Sequence, residues 1–276
     1  MTMRVHHLDC GSMHPPGGGF VDGAPGLFRY AHMVCHVLLA ESDDGLVLVD
    51  TGFGVRDLTT PKQTLPGPFV ALVRPAFDVS QAAVRQVAAL GFDPADVRHI
   101  ILTHLDLDHA GGLVDFPDAR VHVHGPELRA ALDQATAGER QRYRKAHWAH
   151  GPKWEVHESG GGDRWMGLES VRGLTGLSDD FRLVPLAGHT RGHCGVAVRS
   201  DEGWLLHAGD SYFNAAEMAP SPSCPPGLRV FQSLMQVEGK ARKANQERLR
   251  TMLRSHRAEV KIFSAHDAAE LEPFTR

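Results

Sequence analysis

A chain of 276 residues with 42% hydrophobic content can bury a substantial core, as one large domain or two small ones. Its formal net charge is -4, from 29 Lys and Arg against 33 Asp and Glu, so bulk attraction to nucleic acid is excluded as a default. No apolar signal core stands in residues 1–10 and no later run approaches a membrane span, so a soluble cytoplasmic protein is expected; the scattered Cys10, Cys35, Cys194 and Cys224 read as reduced thiols or small core residues.

In chain order, residues 37–40, a polar turn at 42–45 and the run 46–49 predict a hairpin that ends in Asp50-Thr51-Gly52. Pro61, Pro66, Pro68 and Pro75 predict an irregular loop near the site, or a lid. Ser80 is expected to cap a helix through Leu90, with Val84, Val87 and Ala88 on one face and Gly91 stopping it. Asp93-Pro94 reads as a cap and first position of a short turn before a strand at 99–103. Directly after it, Thr103-His-Leu-Asp-Leu-Asp-His-Ala-Gly-Gly112 packs His104, Asp106, Asp108 and His109 into one segment. In extended geometry His104, Asp106 and Asp108 point one way while Leu105 and Leu107 anchor the other, and Gly111 and Gly112 let the chain turn closely beneath. Mixed nitrogen and oxygen donors suit zinc, iron or manganese better than calcium or magnesium.

Residues 120–124 alternate as a half-buried strand and Pro126 opens a helix through Leu132. The stretch 133–173 is polar, aromatic and rich in glycine; its His147, Trp148, His150 and Trp154 are expected to be loop packing rather than substrate contacts. His6, His7, His122, His124 and His256 read as ordinary surface or core histidines. Residues 237–256 look helical with a solvated basic face, and an apolar strand from Val260 leads to His266 and Asp267. Strands alternating with helices argue for α/β layers.

The ligand-bearing run resembles the signature of the metallo-β-lactamase superfamily, His-x-His-x-Asp-His followed by small residues, with Asp106 standing where most members carry a second histidine. Further elements match in order: Asp50-Thr51-Gly52, the Gly188-His189-Thr190 run through His193, Gly209-Asp210-Ser211-Tyr212-Phe213, and the strand ending at His266. The resemblance implies a four-layer αββα sandwich, one domain over residues 1–276, with a pocket-shaping insertion around 133–173. It also implies two divalent transition metals, zinc foremost, with iron or manganese brought in by the carboxylate at Asp106. His104, Asp106 and His189 would hold the first, Asp108, His109 and His266 the second, and Asp210 would bridge them. Asp50 would fix histidine tautomers from behind, and His193 would be a structural hydrogen-bonder.

Layout is most similar to the quorum-quenching-type lactonase branch, which implies hydrolysis of a carboxylic ester, a lactone foremost, by metal-bound hydroxide. Asp108 would be catalytic, with Tyr212 a further catalytic candidate although it lies two residues past Asp210 where related lactonases place a tyrosine three past. The expected partner is a small-molecule substrate, with no nucleic acid and no membrane, and a homodimer is one option for assembly. A glyoxalase II-type thioesterase is the alternative, with a phosphodiesterase or nuclease, a diiron redox module and a non-catalytic metal- or ligand-binding relative behind it.

Overall fold

The computed structural model describes residues 3–275, so residues 1, 2 and 276 of the expected 1–276 span lie outside the described residues. One sheet has six strands in sequence order: β1 (Arg4–Asp9), β2 (His36–Ser42), β3 (Gly45–Val49), β4 (Val97–Ile101), β5 (Arg120–His124) and β6 (Lys153–His157). Pairing is antiparallel from β1 to β3 and parallel from β3 to β6. A short ribbon, β7 (Arg164–Trp165) with β8 (Leu168–Glu169), leads to the second sheet. That sheet holds β9 (Phe181–Pro185), β10 (Cys194–Ser200), β11 (Gly203–His207) and β12 (Val260–Phe263), ordered β12-β11-β10-β9, with only β11 and β12 parallel.

Side chains alternate across each strand, and this period decides the layers. Leu38, Ala40, Val47, Val49 and Ile101 meet Phe181, Leu183, Val196, Val198 and Phe263 between the sheets. On the opposite face of the first sheet, Leu39, Leu48, Ile100, Val121 and Val123 pack with Val87 of the helix Ala83–Ala89 and with Leu128 and Ala131 of the helix Gly125–Asp133. Beneath the second sheet, Val184, Ala197 and Leu206 pack on Leu249 and Met252 of the helix Gly239–His256. Both sheets are therefore apolar on both faces, and helices close the outside: this is the expected αββα sandwich. Each such Leu, Val or Phe buried stabilises by about 1.5–3 kcal/mol. No helix among the described residues is long and apolar enough to cross a membrane.

The hairpin of β2 and β3, the strand β5 and the helix after it stand where expected, but four local readings need correction. The proline-rich stretch is not irregular; it forms the helices Pro61–Thr64 and Gly67–Val73, each with a proline in its first turn, where the missing N–H would lack a helical partner anyway. Ser80 does not cap the next helix. Asp78 caps a 3-10 turn at Val79–Gln81 by accepting from the Ser80 N–H, and the α-helix begins only at Ala83. The strand expected at 99–103 is β4, two residues earlier, and stops at Ile101. The stretch 133–173 is more than a loop, since it supplies the edge strand β6 and the helix Ala137–Arg142, which opens with a Thr136/Glu139 capping box.

Candidate metal centre

Every expected ligand leaves the C-terminal end of a strand. After β4, Leu102 still donates to His122 of β5, and Thr103 leads into His104. The extended alternation then holds only to Asp106, which caps a helical turn, Leu107–Ala110, so Asp108 and His109 sit on a helix rather than on a strand. Leu105 and Leu107 are buried as expected and anchor the turn. Glycine is required at Gly111, where a Cβ would stand 2.3 Å from Asp57 Oδ2. His189 comes from the turn between β9 and β10, Asp210 from the 3-10 turn Gly209–Ser211 after β11, and His266 from the residues after β12.

All seven meet in one place. Donor atoms of His104, Asp106, His189 and Asp210 lie within 4.8 Å of one another, and so do those of His109, Asp210 and His266. The two groups share Asp210, and its oxygens divide between them. Oδ2 is 3.2 Å from His189 Nε2 and 3.8 Å from His104 Nε2, whereas Oδ1 is 3.2 Å from His266 Nε2 and 3.4 Å from His109 Nε2. Asp108 belongs beside the second group, 3.6 Å from His266 Nε2 through Oδ2 and 4.0 Å from His109 Nε2 through Oδ1.

Behind the cluster, hydrogen bonds hold the far nitrogen of three imidazoles and so turn the near one inward. His109 Nδ1 meets Asp50 Oδ2 at 2.8 Å, His104 Nδ1 meets Thr103 Oγ1 at 2.9 Å, and His266 Nδ1 meets the Val34 carbonyl at 2.8 Å. Asp50 adopts φ 59°, a left-handed conformation uncommon outside glycine, and is held there by the Thr103 backbone N–H and hydroxyl. His193 is the expected structural hydrogen-bonder: its Nε2 accepts from the Asp210 N–H at 2.8 Å, and its Nδ1 donates to the Leu186 carbonyl.

The donor set fits divalent cations on an observation of its own. His104 Nε2, His109 Nε2, Asp106 Oδ1 and Asp210 Oδ1 are buried with no hydrogen-bond partner among the described residues, a costly state that a cation would relieve. The titration directions match a cluster of opposed charges. Burial works against ionised Asp210, yet His266, His109 and His189 outweigh it and hold its carboxyl well below the usual range. Burial likewise disfavours charge on His109, but Asp210 and Asp50 push its pKa well above that of a free imidazole. His189 goes the other way, down to about 4, through burial and the nearby Arg142.

A buried cluster of His and Asp donors gathered at strand ends is the candidate site, and sequence comparison identifies the family that carries it. The family model for the metallo-beta-lactamase superfamily matches residues 32–248. The chain belongs to that superfamily. A probable metallo-hydrolase of Mycobacterium tuberculosis is 40% identical over 265 residues, 96% of this chain and 80% of that one. The N-acyl homoserine lactonase AttM of Rhizobium johnstonii is 30% identical over 180 residues, 61% of this chain and 62% of its own length. Among solved structures, an N-acyl homoserine lactone hydrolase with N-hexanoyl-L-homoserine bound at its catalytic metal center aligns at TM-score 0.74 and 20% identity, over 99% of this chain and 97% of that one; this likeness shows the superfamily fold.

Tyr212 is not brought to the candidate ligand cluster. Its hydroxyl donates to Glu270 Oε1 at 2.9 Å, and its ring is fully buried with Leu249 and Met252. Phe213 faces the cluster instead, stacked on His266 with ring centroids 5.1 Å apart. The extended backbone at Tyr212 sends consecutive side chains opposite ways. His147 is packing, as expected: its Nε2 meets buried Asp57 Oδ1 at 2.9 Å.

Three residues at the site escaped the sequence reading. Arg142 donates to Asp106 Oδ2 at 3.0 Å, Glu127 ties the His104 and His189 turns together, and Cys35 has its sulfur within 4.8 Å of donor atoms of Asp108 and His266. For Arg142 one signal existed: a carboxylate in place of a neutral ligand calls for a cation nearby.

Proposed function

We propose that this superfamily member is a dinuclear metal-dependent hydrolase that opens a carboxylic ester, a lactone foremost. The observation that carries this reading is Asp210, whose two oxygens serve two separate groups of inward-facing His and Asp donors. His104, Asp106 and His189 would hold one cation, Asp108, His109 and His266 the other, with Asp210 between. Bound there, divalent cations acidify water and polarise a carbonyl, which is the chemistry that ester hydrolysis needs at neutral pH. Lactonases among the relatives favour a cyclic ester as substrate. Zinc leads the choice of metal, and the carboxylate at Asp106 opens it to iron or manganese.

Asp108 has the second role. Its side chain is 13% exposed against 4% for Asp210, so it alone of the two reaches the solvent side of the cluster. From there it orients the attacking water, takes the proton released as oxygen adds to the carbonyl carbon, and returns it to the alkoxide as the ring C–O bond breaks. Tyr212 has no part in this reading. One domain over residues 1–276 is consistent with the core shared by both sheets, and the four free cysteines suit a reducing, cytoplasmic setting.

The test combines metal analysis with a screen of lactones, thioesters and phosphodiesters. Close to two equivalents of transition metal per chain are expected, with lactone turnover that disappears on chelation and returns on reloading. Full activity in metal-free protein would sink the mechanism, and turnover confined to glutathione thioesters would move the assignment to a thioesterase. His266→Ala is expected to lower bound metal towards one equivalent and to reduce turnover by orders of magnitude while the fold persists; unchanged stoichiometry removes His266 from the ligands.

A further inference from the structure

Asp106 brings a negative charge to a position where the common superfamily signature has a neutral imidazole, in a buried cluster that already contains Asp108 and Asp210. An uncompensated charge in such a place is strongly disfavoured. Here it is compensated. Arg142, the last residue of the helix Ala137–Arg142, is buried, and its Nη1 donates to Asp106 Oδ2 at 3.0 Å. The same guanidinium donates to the His189 carbonyl at 3.3 Å and to the Met235 carbonyl, so three fixed acceptors hold its planar fork in place. Asp106 Oδ2 in turn lies 3.0 Å from His189 Nε2, while Oδ1 is buried with no hydrogen-bond partner among the described residues.

We propose that Arg142 is a positioning residue that acts with Asp106 as a unit of zero net charge, together taking the place of one neutral histidine at the first metal site. The inference rests on the metal-hydrolase reading and deepens it. A guanidinium is always charged, so the compensation does not depend on pH. It also points Asp106: the Arg142 bond to Oδ2 fixes the carboxylate plane, as a contact from behind fixes a histidine ring. Asp106 and Arg142 should therefore be exchangeable only together. Replacing Asp106 alone by histidine leaves a buried guanidinium facing a cation, and replacing Arg142 alone leaves the cluster too anionic and the carboxylate free to turn.

The experiment is a double-mutant cycle on the full chain, stripped of metal and titrated with cobalt(II), followed by calorimetry and by the cobalt absorption bands, with the melting temperature of each metal-free variant as a control for folding. Arg142→Met is expected to weaken cobalt at one of two sites by tenfold or more in the presence of Asp106, and to change its absorption bands. Asp106→His should weaken the same site, and Asp106→His combined with Arg142→Met should recover most of the loss. Arg142→Lys, which keeps charge but loses the fork, should fall between wild type and Arg142→Met. Equal losses from Arg142→Met in both backgrounds would show a merely structural staple and overturn the proposal. Should Arg142→Met not fold, Asp106→His alone decides, since cobalt binding as tight as in wild type refutes charge matching. A wild-type chain that binds no cobalt overturns the metal-hydrolase reading itself, and this inference with it.

Discussion

Asp50 shows how much one residue outside the ligand set can control. Its carboxylate accepts from the Thr103 N–H, the Thr103 hydroxyl and His109 Nδ1, all while its backbone is left-handed at φ 59°. An amide has one acceptor oxygen and adds two donors, so it cannot serve three donors at once. Asp50→Asn is therefore expected to weaken metal at the His109 site by about 10–100-fold and to lower stability by about 1–3 kcal/mol, measured by metal titration and urea unfolding. Unchanged affinity would free His109 from any need of this partner. The ligands themselves were legible because four of them fall within His104 to His109 and the others end apolar runs. Arg142 was not, since it is one arginine among several in a polar stretch, and its contact with Asp106 spans 36 positions. Tyr212 misled because a motif counts residues, whereas the alternation of an extended chain decides which of two neighbours faces the site.

Strands set the height of the site, but the turns after them must be locked to one another, and Glu127 in the helix Gly125–Asp133 does this. Its Oε1 accepts from the Leu105 N–H at 2.9 Å and the Tyr143 hydroxyl at 3.1 Å, and its Oε2 from the Thr190 hydroxyl at 2.6 Å and the Gly192 N–H at 3.1 Å. Three segments, carrying or adjoining His104, Asp106, Arg142 and His189, converge on this carboxylate. Glu127→Gln would oppose an amide N–H to one of these donors, so a loss of about 1–3 kcal/mol is expected, together with weaker metal at the first site and unaltered affinity at the second. Equal weakening at both sites would mean that the helix steadies the whole cluster instead. Elements with one dominant signal, such as the β2–β3 hairpin and β5, were legible. Where two signals competed, the weaker was misjudged: Asp78 outranked Ser80 as a cap, and prolines that looked like breakers are helix starters at Pro61 and Pro68. The edge strand β6 was invisible because its burial alternates poorly and its pairing with β5 is a property of the assembled sheet.

Across the whole molecule, α/β layers followed from strands alternating with helices and the αββα sandwich from the family resemblance, but the strand order and the closure of positions 34 and 266 over the site did not. Glu270, near the C-terminus, accepts from Tyr212 and from the Ser264 N–H, and burial raises its pKa from 4.5 to about 7 against those bonds. A folded pKa above the unfolded one means that the native state holds its proton longer. Its stabilising contribution is complete below about pH 4.5 and is lost as pH rises through about 7. Roughly 3 kcal/mol is involved, so unfolding free energies of wild type and Glu270→Gln should diverge by about that amount between acid and neutral pH. Parallel curves would show that Glu270 does not titrate in this window. Beside it, His266 clasps Val34 across 232 positions, and the His36 N–H donates to the Ala265 carbonyl at 2.9 Å. Closing so long a loop is entropically unfavourable and slow, and these contacts cannot precede synthesis of the segment that follows β12. A nascent chain that has emerged only as far as β11 and Asp210 already carries all but one of the proposed ligands and still cannot complete the second site. In the proposed reading, loading of the second position would therefore wait until the segment carrying His266 has docked on Val34, and metal offered before then would meet a full donor set only at the first.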